Sequence, residues 1–218
     1  LDMNIIKYKG KITLLSPLSH NSDEVLGTTT TYRRMAMWYG GKTVDVPIYT
    51  GNAFRGILRR VGSKQLFDKI GIKQDLSPKL YHTFFTGGLL EAGSDNKGID
   101  VGQLRTIRQN LPFLSVFATS LSHKIMQSLL RVDIAYPICK ETAAYTGIES
   151  DISFWELIST TFYTRRDDFE GDKGKKDDKK DEQAHQMKYE GEFLVPGTVF
   201  DHSITLKGAN ELEQSCFG

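Results

Sequence analysis

The residues of this chain best suited to chemistry are cations placed close to a predicted helix start. Gly51 and Asn52 stand where an apolar-periodic segment begins, and Arg55 and Arg59 follow four residues apart. A helix N-terminus offers unpaired N–H groups and the positive end of the helix dipole, both of which suit a phosphate. Residues four apart share a helix face, so Arg55 and Arg59 point the same way, with Arg60 one step round. Two readings stay open: the arginines meet a polyanion, or they only solvate an amphipathic helix. A second cationic pair, Arg33-Arg34, follows four threonines, 28–31, whose hydroxyls can also meet phosphate oxygens. The long polar stretch flanking the Gly51-Asn52 turn can fold over a groove, which favours a binding role over a plain exposed loop. Tyr32, Trp38 and Tyr39 can stack on bases, or simply pack.

These groups need elements to position them. The chain has 218 residues, 39% hydrophobic and 25% charged, enough for one domain with large insertions. Residues 4–15 alternate as a strand. Residues 19–46 read as a long loop, functional or ordered by a partner. Residues 51–70 read as a helix, with Asn52 as N-cap, an apolar stripe of Phe54, Ile57, Leu58 and Val61, and Gly71 just past its end. Ser77-Pro78 opens a second helix that closes at Gly87-Gly88, Asp100 caps a third, and Pro112 starts a short apolar segment. Strands follow at 129–138 and 152–162, the latter with Trp155 and Phe162 as core aromatics. Two more, 187–194 and 198–206, flank a Pro196-Gly197 turn.

The order is α+β. It fits a ferredoxin-like (RRM-like) βαββαβ core carrying two insertions, one helical at 71–127 and one around 150–192. Between Arg165 and Glu182 the chain has seven basic and eight acidic residues and cannot bury a core, so the tip 165–185 is expected to be disordered. Such a core wants a full final helix and a last strand. The expectation is therefore that the natural chain runs on past Gly218, and that without the rest the sheet face near Ile12, Ile134 and Ile204 meets water.

Other chemistries lack their residues. The five histidines, His20, His82, His123, His185 and His202, are scattered, and two cysteines make neither a disulfide scaffold nor a Cys-rich zinc site. Gly41-Lys42-Thr43 copies the end of a P-loop, but Ala36 stands where its first glycine belongs. No metal and no cofactor are expected. Apolar runs fall far short of the ~20 residues of a membrane span, and no secretory signal is visible, so the expected setting is the reducing cytoplasm. Net charge is only +1, and the local cation clusters, rather than that average, set the field a polyanion would feel.

Three stretches in order carry a family resemblance. The first is Ser16-Pro17-Leu18-Ser19-His20, then Tyr32-Arg33-Arg34, then Tyr49-Thr50-Gly51-Asn52-Ala53-Phe54-Arg55-Gly56-Ile57-Leu58-Arg59. The second is Leu111-Pro112-Phe113-Leu114-Ser115-Val116-Phe117-Ala118 with Ala135-Tyr136-Pro137-Ile138-Cys139-Lys140-Glu141-Thr142. The third is Phe162-Tyr163-Thr164-Arg165-Arg166, the charged gap, Gln186-Met187-Lys188-Tyr189-Glu190 and Val195-Pro196-Gly197-Thr198. Together they resemble the RAMP superfamily of CRISPR systems, and most of all the backbone subunit of a Class 1 effector complex of type IV. Ala118 departs from the pattern, which commonly has Gly there.

The resemblance implies a non-catalytic protein that binds guide (CRISPR) RNA, oligomerises along it with other effector subunits, and holds it for a complementary target. It implies RNA contacts from His20, Arg33, Arg34, Gly51, Asn52, Arg55, Arg59, Arg60, Arg165, Arg166, Met187 and Lys188. It makes 150–192 a thumb hairpin, in which Met187 could act as a wedge between bases or pack inward as a strand residue. Two alternatives stay open. One is a type III-like RNA endonuclease using a loop acid such as Asp23, although no acid matches the position well. The other is a ferredoxin-like module that binds only protein.

Overall fold

The structure is a computed structural model that describes residues 4–26, 29–72, 76–90, 100–122, 124–165 and 187–217. In chain order the elements are β1 (Ile5–Thr13), β2 (Asn21–Leu26), β3 (Thr29–Tyr32), β4 (Arg34–Tyr39), β5 (Lys42–Pro47), α1 (Gly51–Lys69) and α2 (Pro78–Tyr81), which runs into a π-helical turn at His82–Thr86. Next come β6 (Gly88–Leu90), α3 (Val101–Asn110), α4 (Pro112–Phe117), β7 (Thr119–Ser122), β8 (Lys124–Met126), β9 (Leu130–Val132) and β10 (Tyr136–Pro137). The last are α5 (Ala143–Thr146), β11 (Ile158–Arg165), β12 (Met187–Leu194), β13 (Val199–Lys207) and α6 (Glu211–Ser215). The architecture is α+β. The chain forms two compact units, one of Leu1–Lys11, Tyr49–Ala135 and Asp201–Gly218, the other of Ile12–Ile48 and Tyr136–Phe200.

The first unit holds its core between α1, α4, β9 and the second half of β13. Phe67, Phe84, Phe113, Leu114, Val116, Phe117, Met126, Leu130 and Leu206 form one buried cluster. β9 pairs antiparallel with β13, Ile204 opposite Val132 and Leu206 opposite Leu130. Thr50, not Asn52, caps α1: its side chain accepts the N–H of Ala53. Helix α3 carries the expected Asp100 cap, completed by Gln103 into a capping box. The exposure expected near Ile204 does not occur, since Ile204 packs against the cluster.

Helix α1 turns part of its apolar stripe inward, Phe54 against His202 and Leu58 against the core cluster, and with it a row that the spacing does not suggest. Gly51, Ser63 and Phe67 are buried and Arg55 and Arg59 partly so, one row at intervals of four. Ile57 and Val61 of the expected stripe are 39% and 53% exposed. The reason is close approach. A Cβ on Gly51 would overlap the carbonyl oxygen of Val132, and one on Gly62 would press on Phe113. Ser63 fits because its hydroxyl donates to the Phe84 carbonyl, 3.0 Å away.

His202 on β13 is buried against Phe54, ring centroids 4.7 Å apart and nearly perpendicular, and its Nε2 has no hydrogen-bond partner. Burial lowers its pKa, opposed in part by a bond to the Asp133 backbone and by the charges of Asp133 and Asp201. A histidine with a depressed folded pKa leaves stability intact above its unfolded value of about 6.5 and loses it as pH falls below that. Thermal unfolding should therefore shift down between neutral pH and mildly acid pH, and His202→Phe should flatten that slope. His20, also lowered by burial and then by Arg33, keeps part of it.

In the second unit the region expected to be a loop, 19–46, is four strands. β2 and β3 pair antiparallel, and β4 and β5 form a regular hairpin from Arg34 opposite Pro47 to Tyr39 opposite Lys42. Gly40 and Gly41, both at positive φ, make the two-residue turn such hairpins prefer. Polar residues hid these strands because, among the side chains described there, only Tyr32, Met37 and Val46 go deep. β11 and β12 pair antiparallel from Ile158 opposite Leu194 to Arg165 opposite Met187, and β12 runs parallel to β3. These are the arms of the expected hairpin; its tip lies outside the described residues. The expected strand at 152–162 begins instead with a 3-10 turn, Phe154–Leu157, that buries Phe154 and Leu157 and leaves Trp155 outside; Phe162 is exposed too. The strand at 129–138 is broken into β9 and β10.

Buried Glu141 organises that turn. Its carboxylate accepts the Ser153 hydroxyl at 2.6 Å and the Phe154 N–H at 3.0 Å. Burial pushes its pKa up, but these hydrogen bonds outweigh that and leave it below the usual carboxylate value. Cys139 is buried beside it, and burial raises its thiol pKa. No helix among the described residues is long and apolar enough to cross a membrane.

Candidate nucleic-acid interface

In the first unit the inner row of α1 overlooks a cavity of about 710 Å³. Its wall includes Asn52, Arg55 and Arg59 from the helix, Thr86, Phe117 and Ala118, then Ile125 to Ser128 and Leu130 to Val132. Among the described residues three arginines line it and no carboxylate does. Arg55 is oriented by Asn52, whose Oδ1 accepts from Nη2 at 2.5 Å. Arg131 is held by Asp133, Nε to Oδ1 at 2.8 Å, and Asp133 in turn takes the Ser203 hydroxyl at 2.6 Å. Burial raises the Asp133 pKa, but the bonds from Ser203 and Arg131 and the charges of Arg131 and Lys7 bring it below its ordinary value. The cavity's size and mixed lining suit a small polar ligand or part of a larger one.

Arg59 is differently employed. Its guanidinium donates to the carbonyls of Phe117 and, at 2.9 Å, Ala118, the orphan acceptors at the end of α4. Burial, then the neighbouring charge of Arg55, pushes its pKa down. Gly87, at φ 91°, has a backbone that suits glycine, and a Cβ there would push this guanidinium off its carbonyls. Arg60 lies on the exposed side of α1, where its charge reaches the Tyr49 phenol. Gly51 is buried under the Val132 and Asp133 carbonyls, so its place in the sequence pattern answers to packing.

The second unit holds the other cations. His20 packs edge-on to Tyr32, and its carbonyl accepts the Arg33 N–H at 2.7 Å. Arg33 pairs with exposed Asp23 at 2.9 Å. Arg34 makes two bonds to Glu192, at 2.8 and 3.0 Å, and Glu192 also takes the Tyr32 N–H. Arg165, Met187 and Lys188 stand by register at the end of the β11–β12 hairpin nearest its tip; Arg166 lies outside the described residues. Among the described residues no three His, Cys, Asp or Glu side chains converge on a metal position.

No family model matches the sequence, and no curated protein matches it. Among solved structures, a chain of a type IV-B CRISPR complex superposes at TM-score 0.65 with 20% identity, covering 96% of this chain and 77% of that one. This chain has the fold of a type IV-B CRISPR complex protein. The sequence resemblance to type IV thus extends to the three-dimensional fold. Csc2 of Thermofilum pendens matches at TM-score 0.44 and 14% identity, over 99% of this chain and 58% of its own.

Of the cations singled out in the sequence, the structure brings Arg55 and Arg59 to the cavity with Asn52, and keeps Arg60 off it. The sequence reading missed Arg131, Gln127 and Ser128. Arg131 sits in a β-branched run that reads only as a strand, and its part in the cavity arises from β9 meeting the first turns of α1.

Proposed function

We propose that this chain is a guide-RNA-binding backbone subunit of a type IV-like CRISPR effector complex. Copies of it line up along the crRNA with other subunits and present the RNA to a complementary target. The observation that carries this reading is the cavity under α1, whose described lining holds three arginines and no carboxylate. Phosphate contacts dominate the affinity of nucleic-acid binders, and an arginine-lined wall, with Arg131 oriented by Asp133, suits them. The likeness to a type IV-B complex protein supports the same reading.

In this reading Asn52, Arg55 and Arg131 meet phosphate directly, while Gly51 and Arg59 hold the wall in shape. Arg60, His20, Arg33 and Arg34, with Arg165, Arg166, Met187 and Lys188 of the thumb hairpin, extend the RNA path. A ferredoxin-like core with a helical insertion at 71–127 and a thumb at 150–192 belongs to the same proposal. The role is binding, not cleavage: Asp23, the acid a type III-like reaction would call on, is engaged with Arg33.

The test is fluorescence anisotropy with a labelled unstructured RNA across a salt series. Arg55→Ala with Arg131→Ala should weaken binding for every sequence and flatten the log–log salt slope by roughly 0.7 per lost phosphate contact. Unchanged affinity, or loss confined to some sequences with an unchanged slope, refutes the assignment.

A further inference from the structure

The sheet of the first unit has one face packed and one face open. β1 lies next to β13, and two contacts fix how they meet. The Gly208 N–H donates to the Asn4 carbonyl at 2.7 Å, and the Lys9 ammonium reaches the Asp201 carboxylate at 3.6 Å. The strands therefore run antiparallel, with Lys7 opposite Thr205 and Lys9 opposite Ser203. On the other flank of β13, Thr205 lies opposite Arg131, and the Asp133 N–H donates to the Ser203 carbonyl. Side chains alternate between the faces of a sheet, so one parity carries all of these groups together. The opposite parity carries His202, Ile204 and Leu206, against Phe54 and the core cluster.

Charge is concentrated on the open face. Ile5, Lys7, Lys9 and Lys11 are all exposed along β1, and Lys207 is exposed on β13. Alternate residues of a strand stand about 6.8 Å apart, so the three β1 lysines form a single file. Arg131 stands two strands over, its side chain 66% exposed. Two carboxylates share the face, and both are engaged. Asp201 meets Lys9, and Asp133 takes the Ser203 hydroxyl and Arg131. Five cations face two acids here, whereas the whole chain carries a net charge of only +1. Edge strands use lysine to avoid pairing with another sheet. That use explains neither Lys207 on the middle strand nor Arg131 beyond it.

We propose that this open sheet face is a second binding site, apart from the cavity under α1, for a single nucleic-acid strand held by its phosphates. Charge complementarity names the occupant. A file of ammonium groups matches a backbone that carries one negative charge per nucleotide, and the acids on the face are already neutralised. None of these positions carries an aromatic ring on which a base could stack. Phosphate contacts carry no sequence information, so RNA and DNA strands are held alike. The site goes beyond the proposed function and does not rest on it, since Lys7, Lys9, Lys11 and Lys207 do not line the cavity. Arg131 belongs to both surfaces.

The test uses the whole chain at low salt with labelled oligouridylate and oligothymidylate of about eight nucleotides, within the usual span of a single-strand site. Anisotropy gives affinity, and native mass spectrometry gives the number of strands bound per chain. The variant is Lys7→Gln/Lys11→Gln/Lys207→Gln; Lys9 is kept because it pairs with Asp201. All three positions are exposed, so circular dichroism and the unfolding midpoint should match wild type. Wild type should bind two strands per chain and the glutamine variant one, with the log–log salt slope lower by roughly 0.7 per lost phosphate contact. The matching arginine variant, Lys7→Arg/Lys11→Arg/Lys207→Arg, should keep both strands. The two oligonucleotides should bind within about threefold of each other. A glutamine variant that still takes two strands with an unchanged slope overturns the proposal. So does a wild type that takes one strand with an affinity the lysines do not affect. Displacement of the strand by an oligoglutamate of equal charge as readily as by unlabelled oligonucleotide marks an acidic protein as the occupant and overturns it too. Arg55→Ala in the same assay separates this site from the proposed function. If Arg55→Ala weakens neither strand while the lysine variant loses one, the cavity reading falls and the sheet site stands. If Arg55→Ala weakens one strand while the lysine variant loses none, the sheet site falls and the cavity reading stands.

Discussion

Gly51→Ala is expected to lower stability by about 3 kcal/mol, although alanine is the better helix former. The competing terms can be weighed. Removing a glycine from a helix gains at most about 1 kcal/mol. At this position the new Cβ would overlap the Val132 carbonyl oxygen and lie 2.9 Å from that of Asp133. Both are backbone atoms of the strand end that walls the cavity, and they cannot swing aside as a side chain can. Overpacking of this kind costs about 1–3 kcal/mol, and more when backbone must move, so the clash wins. For a chain of this size the midpoint of thermal unfolding should drop by roughly 6–12 °C. Gly56, one turn on, is the control. Nothing lies within 4 Å of a Cβ there, so Gly56→Ala should raise the midpoint by the helix-propensity gain. If Gly51→Ala is neutral, α1 does not seat against β9 as described, and the cavity loses its wall.

How far the sequence led is best seen along α1. Its limits, its Gly71 terminus and the clustering of Arg55 with Arg59 were legible, because caps and spacing are local properties. Its inward face was legible in part: Phe54, Leu58, Leu66 and Phe67 pack inward, but the row Gly51, Arg55, Arg59 and Ser63, buried or partly so, holds none of the large apolar side chains that periodicity counts. What put that row inside was close packing against β9 and the Phe84 and Phe113 rings, which no single-segment pattern contains. The strands of 21–47 were hidden for the converse reason: they bury few side chains and are held by hydrogen bonds and by pairs such as Arg34 with Glu192, 158 residues apart in the chain. The hairpin arms β11 and β12 were legible through the family resemblance on both sides of the charged gap, although the sequence reading starts the first six residues too early, at 152–162 instead of 158–165. The role of Arg131 depended on two segments meeting, and the exposure of Trp155 on a tight turn inside what reads as a strand.

Arg59→Ala should be felt as lost stability, where Arg55→Ala is felt as lost RNA affinity. The two residues look equivalent in the sequence, and the resemblance assigns both to RNA. In the fold Arg59 satisfies the carbonyls of Phe117 and Ala118, partly buried, while Arg55 is held only by Asn52 at the rim. Truncating Arg59 leaves two acceptors without their donor and a void where its stem packed. A hydrogen bond to a charged group contributes about 1.5–3 kcal/mol, so a loss of about 3 kcal/mol is expected. Ala118 sharpens the case. It is the single non-glycine at positive φ among the described residues, with φ 67° and ψ 162°, a region nearly confined to glycine. Such a conformation costs about 1–3 kcal/mol and persists only where neighbours fix it, and the bond from Arg59 to the Ala118 carbonyl is one such fixture. Ala118→Gly should therefore move stability in the opposite direction, upward by about that amount. Chemical denaturation of the three variants decides the matter. If Arg59→Ala leaves the midpoint unchanged and instead flattens the salt slope of RNA binding, Arg59 is a phosphate ligand and its carbonyl bonds are incidental. If Arg55→Ala is the destabilising one, the rim and the wall of the cavity have been exchanged.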